Sequence, residues 1–438
     1  MQRIRRLPQV VWMVVALGVL LIPAVAAGVG DGAGHASPVM GNEARISGNG
    51  ATSYEERADV AWNGETNQYL VVWSDGRSGA AGRGEDIYAR LVGADGKPIG
   101  GEKLISGANA IGDDQCPAVA WGATTQQYLV VWQDGRNASA DMYGRRVGAD
   151  GQPVGPDFRI SNSSSDDVCG DVAWGSSQNQ FLVVWEDYRT YSRGADVYGR
   201  LVGANGTPIG TADSLISGPG ATADEYAPAV AWGSTTRQYL VVWSDYRDYG
   251  ARGADVYGRR VTVAGAVFGA DFRISGLGAV ENDKAPALAW SATMNQFLVV
   301  WEDWRRPAGR GIEIYGQRVK ANGALTGGEK RISGTNATWD DNAPDVAWSA
   351  TSLRYLVTWQ DWRNYGTRFA DIYARQVGDN GTPVGGDFRM SGPKALMNEY
   401  DPAVAWNAVD NQFLVVWTDA RSYSTGRLLD IFARLVAG

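Results

Sequence analysis

Short hydrophobic runs separated by polar turns fill most of this chain. A typical pair of runs begins at Pro228 as Pro-Ala-Val-Ala-Trp, passes through a polar turn, and resumes at Tyr239 as Tyr-Leu-Val-Val-Trp-Ser-Asp-Tyr-Arg. Runs of this length that are rich in β-branched and aromatic residues, and are bounded by Gly, Asn, Asp or Pro, predict β-strands. Because the runs are apolar at nearly every position, we expect sheets that are packed on both faces.

This pair of runs recurs seven times, at intervals of 53 to 59 residues. Each copy carries four strand signals, which we name A to D: an Ala-Val-Ala-Trp run, a Leu-Val-Val-Trp run, a run such as residues 255–261, and a run such as residues 272–275. The tryptophans that mark strands A and B are Trp62 and Trp73, Trp121 and Trp132, Trp174 and Trp185, Trp232 and Trp243, Trp290 and Trp301, Trp348 and Trp359, and Trp406 and Trp417. Self-similarity at this period predicts a radial repeat such as a β-propeller.

The two ends of the repeat region complement each other. The seventh copy stops after strand C, and an orphan D strand, residues 45–47, precedes the first copy. If that strand pairs with the last strand C, the ring closes and no unpaired sheet edge remains. The sequence therefore predicts an all-β protein over residues 44–438: a seven-bladed β-propeller with four-stranded antiparallel blades, closed by residues 45–47.

The repeat resembles a known pattern. The fifth copy reads Asp283-Lys-Ala-Pro-Ala-Leu-Ala-Trp, followed by a hydrophobic strand, a turn with Asp and Arg, and an Ile-Tyr strand. This resembles the TolB-type (WD40-like, PD40) propeller repeat, although the B–C turns are longer here and no Ser-Pro-Asp-Gly turn follows the first tryptophan. Members of such families serve as binding platforms or as gating domains of attached enzymes, so the resemblance implies a binding role.

The N-terminus has the pattern of a signal peptide over residues 1–26. Three arginines precede a mostly apolar stretch, and residues 24–26, Ala-Val-Ala, offer a cleavage site. The apolar stretch is short for a membrane span. We therefore expect a secreted or periplasmic protein with no membrane span after cleavage. Residues 27–43 are rich in Gly and Ala and predict a flexible leader.

The net charge and the histidine content exclude some classes of partner and of catalytic chemistry. The formal net charge of −8 would repel a nucleic-acid backbone, so we expect no nucleic-acid partner. The only histidine, His35, lies in the predicted leader, which excludes histidine-based catalysis and histidine-bound zinc from the repeats. We expect a monomer whose partner is a glycan or an extracellular or periplasmic protein, with no required cofactor.

The loops differ between the two faces of the predicted ring. The A–B and C–D turns are short and similar, whereas the B–C and D–A loops, which share the other face, vary and should hold any ligand. Three of the 18 tryptophans lie in these variable loops, and tyrosines follow at related positions. The candidate ligand-binding residues are Trp304, Trp339, Trp362, Tyr365, Tyr188 and Tyr246. Flat rings beside polar groups suit saccharides; the alternative interpretation is packing between blades.

One acidic residue precedes strand A in every copy. A ring of such carboxylates on the loop face could bind a hard cation such as Ca²⁺, and its candidate ligands are Asp114, Asp167, Glu225, Asp283 and Asp341, with Glu55 and Glu399 in the outer copies. Two alternatives stay open. Each acid could accept backbone N–H groups in its own turn, or it could pair with the arginine that follows strand B, such as Arg247.

Cys116 and Cys169 occupy equivalent positions just before the proline position of strand A in neighbouring copies. In an exported protein this arrangement predicts a structural disulfide, provided that neighbouring inner strands allow Cα atoms about 4.4–6.8 Å apart.

These features favour an exported binding module that recognises a glycan or a cell-envelope ligand on the loop face. A protein-interaction scaffold is one alternative, and a polysaccharide lyase or hydrolase that uses loop-face carboxylates is another. Acidic pairs are abundant and none differs from the rest, so we assign no catalytic residue and expect a binding protein rather than an enzyme.

Overall fold

The computed structural model describes residues 38–48, 53–107, 111–190, 194–218, 223–276, 281–305, 310–334, 339–393, 395–423 and 428–438. The predicted signal peptide and residues 27–37 of the predicted leader lie outside these ranges. The described strands belong to one compact unit, residues 37–438. No helix among the described residues is long and apolar enough to cross a membrane.

The strands form seven four-stranded antiparallel sheets, one for each repeat, in the order A-B-C-D. The first strand of the chain is β1 (Val39–Arg45). Blade 1 contains β2 (Glu55–Asn63), β3 (Gln68–Asp75), β4 (Asp86–Gly93) and β5 (Pro98–Leu104). Blade 2 contains β6 (Asp114–Gly122), β7 (Gln127–Asp134), β8 (Asp141–Gly148) and β9 (Pro153–Arg159). Blade 3 contains β10 (Asp167–Gly175), β11 (Gln180–Asp187), β12 (Asp196–Gly203) and the short β13 (Ser214–Leu215).

The remaining blades repeat this plan. Blade 4 contains β14 (Glu225–Gly233), β15 (Gln238–Asp245), β16 (Asp255–Thr262) and β17 (Val267–Arg273). Blade 5 contains β18 (Asp283–Ser291), β19 (Gln296–Asp303), β20 (Glu313–Lys320) and β21 (Leu325–Arg331). Blade 6 contains β22 (Asp341–Ser349), β23 (Arg354–Asn364), β24 (Phe369–Gly378) and β25 (Pro383–Arg389). Blade 7 contains β26 (Glu399–Asn407), β27 (Gln412–Asp419) and β28 (Asp430–Ala437).

Helical structure is confined to B–C loops in the described residues. A 3-10 helix spans Gly76–Ala81 in blade 1. Single helical turns, α1 (Tyr249–Arg252) and α2 (Tyr365–Arg368), lie in blades 4 and 6.

The core consists of seven hydrophobic clusters, each shared by two neighbouring blades. The strand B tryptophans, such as Trp243, are fully buried in these clusters. One cluster joins blade 7 to blade 1 and contains Trp73, Leu414 and Ile46. Because every blade packs against two others, the ring is closed, as the sequence predicts.

Strand β1 completes the last blade. It pairs antiparallel with β28, and the Ile46 backbone N–H donates to the Ile431 carbonyl at 2.7 Å. The predicted closure is therefore confirmed. The strand begins at Val39, earlier than the predicted residues 45–47 and within the stretch assigned to the leader. An outermost strand packs on one side only, so its start carries exposed residues such as Asn42 rather than an apolar run.

Every strand A contains a β-bulge two residues after its start. The pairing register shifts there, as between Tyr226 and Ala229 in blade 4. A non-glycine residue adopts a left-handed conformation in each bulge, with φ between 37° and 56°, at a cost of about 1 kcal/mol. The bulge residues are Arg57, Cys116, Cys169, Ala227, Ala285, Ala343 and Asp401.

Candidate functional site

The turn after strand B is a structural unit that all seven blades share. In blade 4, the Arg247 backbone N–H and Nε donate to Asp245 Oδ1 at 2.9 and 2.8 Å, and Nη2 donates to Asp271 Oδ2 on strand D at 2.5 Å. The guanidinium also lies 4.1 Å from the ring centre of Tyr257 on strand C. Each arginine thus joins strands B, C and D of its own blade. The strand D acids, which sequence reasoning did not single out, are Glu43, Glu102, Asp157, Asp213, Asp271, Glu329 and Asp387.

The acids before strand A are buried and lie apart. In blade 4, Glu225 pairs in register with Asp245, and both are buried. Where an arginine approaches such an acid, as Arg77 approaches Glu55, the separation is 3.6 Å, longer than the bonds of the arginine to its own turn aspartate.

Burial and the neighbouring turn aspartate raise the pKa of these carboxyls, to about 8 for Glu225 and Asp283 and to about 9 for Asp167. The same causes raise the pKa of Asp114 to about 8 and that of Asp341 well above its usual range. Glu225 Oε2 also accepts from Val197 N of blade 3 at 3.3 Å, so this acid is buried where blades 3 and 4 meet. Among the described residues, no group of three or more acids, histidines or cysteines is arranged to hold a metal.

In blades 2 to 7, the residue before each of these acids binds a backbone N–H of the preceding blade. Asp224 Oδ1 accepts from Ala195 N at 3.0 Å, and Asp340 Oδ1 accepts from Ile312 N at 2.9 Å. Asn282 makes the same bond to Ala254. These repeated polar residues fix the D–A loops to the neighbouring blade.

The two cysteines occupy the bulge positions of blades 2 and 3, where they are joined by a disulfide. Their Cα atoms lie 5.1 Å apart, within the usual range. Because regular inner strands of neighbouring blades need not bring their Cα atoms so close, the strand pattern alone did not decide whether the two cysteines form a disulfide. Arg57, at the bulge of blade 1, donates from Nη1 to Cys116 Sγ at 3.0 Å.

Deeper in strand A, three aspartates link neighbouring blades. Asp59 Oδ1 accepts from Val60 N and Oδ2 from Val119 N of blade 2, both at 2.7 Å. Asp171 and Asp345 bind blades 4 and 7 in the same way. Burial raises the pKa of all three carboxyls, and the charge of Asp171 adds to the rise for Asp59 and Asp345.

The positions that differ between blades surround the start of strand A on the loop face. The second residue of strand A, the bulge residue and the residue before the turn aspartate all vary, whereas the first residue of strand A is acidic and the turn residue is aspartate in every blade. Sequence comparison of the seven copies at these three positions would have revealed this rim, because a ligand site in a symmetric ring needs asymmetric residues.

One aromatic group lies on the rim in blades 4 and 5. The Tyr246 ring centre lies 5.4 Å from that of Tyr226 and 5.3 Å from that of Tyr249, with the second pair stacked. Lys284 Nζ lies 5.3 Å from the ring centre of Tyr246 and 5.0 Å from that of Trp304. Lys284 therefore joins the rings of the two blades.

A second aromatic group lies in blade 6. Tyr365 is central: its ring centre lies 5.8 Å from Trp339, 5.6 Å from Trp362 and 5.8 Å from Phe369. Trp339 is 53% exposed, and Phe369 is also exposed. The structure thus brings Trp339, Trp362 and Tyr365 together as predicted and places Trp304 and Tyr246 in the first group.

Two further exposed tyrosines belong to other blades. Tyr54 in blade 1 and Tyr423 in blade 7 are 40% and 50% exposed and lie in loops of the same face. Tyr423 follows its turn arginine by two residues, as Tyr249 and Tyr365 do, so that spacing was a usable signal.

A buried glutamate, Glu186, and a half-buried one, Glu302, accompany these rings. Glu186 Oε1 accepts from Ala227 N at 2.8 Å, and burial raises its pKa to about 7. Tyr188, the remaining predicted ring, lies beside Glu186 and Tyr226.

Glu302 occupies the equivalent position in blade 5. Its Oε1 accepts from Ala343 N at 2.9 Å and its Oε2 from Trp304 Nε1 at 3.3 Å. In blade 4 the serine Ser244 makes the same backbone bond, so bonding to the bulge does not require a carboxylate.

The opposite face has a cleft between blades 4 and 5. It encloses about 620 Å³ and is lined by polar residues such as Gln238, Arg260, Gln296 and Arg318. No predicted site residue lines it.

Neither a family model nor a curated protein matches this chain, so the TolB-type resemblance stays a prediction. Among solved structures, an α-L-arabinofuranosidase from Fusarium graminearum, in complex with an iminosugar inhibitor, is 12% identical, covers 74% of this chain and 93% of its own, and has a TM-score of 0.50. A puromycin hydrolase is 15% identical, covers 92% of this chain and 56% of its own, and has a TM-score of 0.51. At such identities the similarity concerns the fold alone.

Proposed function

We propose that this protein is an exported carbohydrate-binding propeller that holds its ligand on the loop face. The observation that carries this proposal is the blade 6 group, in which the exposed ring of Trp339 rests on Tyr365 and Tyr365 contacts Trp362. Rings that are fixed by their neighbours and exposed on one side suit stacking against the apolar face of a sugar. The arabinofuranosidase of similar fold was solved with an iminosugar inhibitor, which makes sugars a reasonable first panel.

Replacing Trp339 by alanine should weaken glycan binding by about tenfold or more, because the stacking surface is lost. Isothermal titration with glycans chosen from an array would measure the change. Tyr54→Ala is the matched control, since Tyr54 is a comparably exposed ring on the same face in blade 1. Equal affinity of wild type and Trp339→Ala would remove the assignment.

Hydrolysis is a second candidate function, and the buried Glu186 favours it. A carboxyl with a pKa near neutrality beside aromatic rings could act as a general acid, and Glu186 has this character. Release of reducing ends from a bound polymer in the same titrations would identify the protein as a hydrolase. Co-purification with a polypeptide and indifference to sugars would instead favour a scaffold.

A further inference from the structure

Lys284 is the one cation at its position in the ring. The second residue of strand A is Glu56, Gln115, Val168, Tyr226, Lys284, Asn342 and Tyr400 in blades 1 to 7. This position belongs to the variable rim, so the repeat itself does not require a lysine there.

The environment of Lys284 differs from that of the structural arginines. Each turn arginine binds two carboxylates of its own blade, as Arg247 binds Asp245 and Asp271. Lys284 instead lies over the rings of Tyr246 and Trp304. Within the part of the chain that the structure describes, no Asp or Glu oxygen forms an ion pair with its Nζ.

Glu302, an acid that the charge of Lys284 influences, is already engaged. Its two oxygens accept from Ala343 N and Trp304 Nε1. Burial raises the pKa of Glu302, while the charge of Lys284 opposes that rise. The lysine therefore keeps a positive charge that no neighbouring carboxylate neutralises directly.

A cationic ligand would have to displace Lys284 from the rings and then lie beside its charge. An anionic ligand faces no such conflict, because the ammonium group can bind an anion while the rings of Tyr246 and Trp304 contact the sugar that carries it. We infer that the rim of blades 4 and 5 binds a negatively charged sugar residue, with Lys284 as the ligand of its anionic group. This inference rests on the proposed carbohydrate binding and specifies its ligand class.

The test compares short oligogalacturonides with the same oligomers after methyl esterification, which removes the charge and keeps the sugar. Wild type should bind the charged form about tenfold more tightly. Lys284→Met keeps the apolar stem and should abolish this preference; Lys284→Arg should restore it. A sulfated oligosaccharide of matched length distinguishes a general anion site from a carboxylate site.

Lys97→Met is the control, because Lys97 is 75% exposed in a C–D turn of the other face and pairs with Asp95. Its preference for the charged oligomer should equal that of wild type. Lys284→Gln provides a second neutral variant in case the methionine variant folds poorly. Equal affinities of wild type for charged and esterified oligomers would overturn the inference and leave the proposed function in place. Failure to bind any glycan would overturn both.

Discussion

At the residue scale, the acids of this protein separate into those that repeat and those that do not. Repeated acids bind an arginine of their own blade or a backbone N–H of the preceding one, as Asp245 accepts from Arg247 and Glu225 accepts from Val197 N. Unrepeated ones, Glu186 and Glu302, lie at the rim beside aromatic rings. The repeated acids determine how the free energy of unfolding depends on pH. The two rim glutamates belong to the candidate site.

The buried acid Asp283 should make the protein less stable as the pH rises. Its pKa is about 8 in the folded protein and about 3.9 in an unfolded chain. Between these values the folded state binds more protons, so the free energy of unfolding falls as the pH increases. Asp283→Asn removes this titration, and its thermal midpoint should fall less than that of wild type between about pH 5 and about pH 9.

The control for this titration is Asp95→Asn, at an exposed turn where Lys97 lowers the pKa of the aspartate. That variant should show the pH slope of wild type in differential scanning fluorimetry. Superimposable profiles for wild type and Asp283→Asn would contradict the argument.

At the element scale, strand β1 supplies both pairing and charge to blade 7. Glu43 binds Arg421, which places a strand D acid in the last blade as every other blade has one. Ser47 Oγ accepts from Ile431 N at 3.0 Å, and Ile46 is buried between blades 7 and 1. The closing strand thus reproduces each contact of an ordinary strand D.

Ile46→Ala should lower the free energy of unfolding by about 2–5 kcal/mol, because it leaves a cavity where the ring closes. Met40→Ala, in the same strand at a 41% exposed position, should change it by less than about 0.5 kcal/mol. Urea titration followed by tryptophan fluorescence would compare the two. Similar losses in both variants would indicate that β1 contributes pairing alone.

The strands and the closure could be predicted from the sequence because the apolar runs around residues such as Trp232 and Trp243 repeat with one period. The bulges could not, since Ala227 and Cys116 share no residue preference that signals a positive φ. The rim was not predicted because its residues differ between blades, whereas the strand prediction used only the residues that recur in every copy. The role proposed for Lys284 therefore becomes recognisable only when the structure places the start of strand A on the loop face.

At the scale of the whole molecule, the inner strands are joined by devices that differ from one interface to the next. Asp59, Asp171 and Asp345 join blades 1 and 2, 3 and 4, and 6 and 7. The disulfide between Cys116 and Cys169 joins blades 2 and 3, and Thr418 Oγ1 of blade 7 accepts from Arg57 N of blade 1 at 3.2 Å.

Removing the disulfide should lower the free energy of unfolding by about 2–4 kcal/mol, since it links residues 53 apart in sequence and restricts the unfolded chain. The double variant Cys116→Ser, Cys169→Ser would be compared with wild type by denaturant titration. Reducing agent should bring wild type to the stability of the variant and leave the variant unchanged. A wild type that is insensitive to reduction would refute this contribution.

The distribution of these links singles out blade 5. Alanine replaces the linking aspartate at Ala229 and Ala287. Among the described residues, blade 5 is joined to its neighbours by the rim bonds from Ala285 N to Ser244 Oγ and from Ala343 N to Glu302 Oε1, without an inner-strand aspartate or the disulfide. We therefore expect local opening of the ring to be most frequent on either side of blade 5, which carries Lys284 and Trp304. A ligand bound there would change the stability of both interfaces of blade 5. Slower amide exchange in that segment on ligand binding would measure this stabilisation.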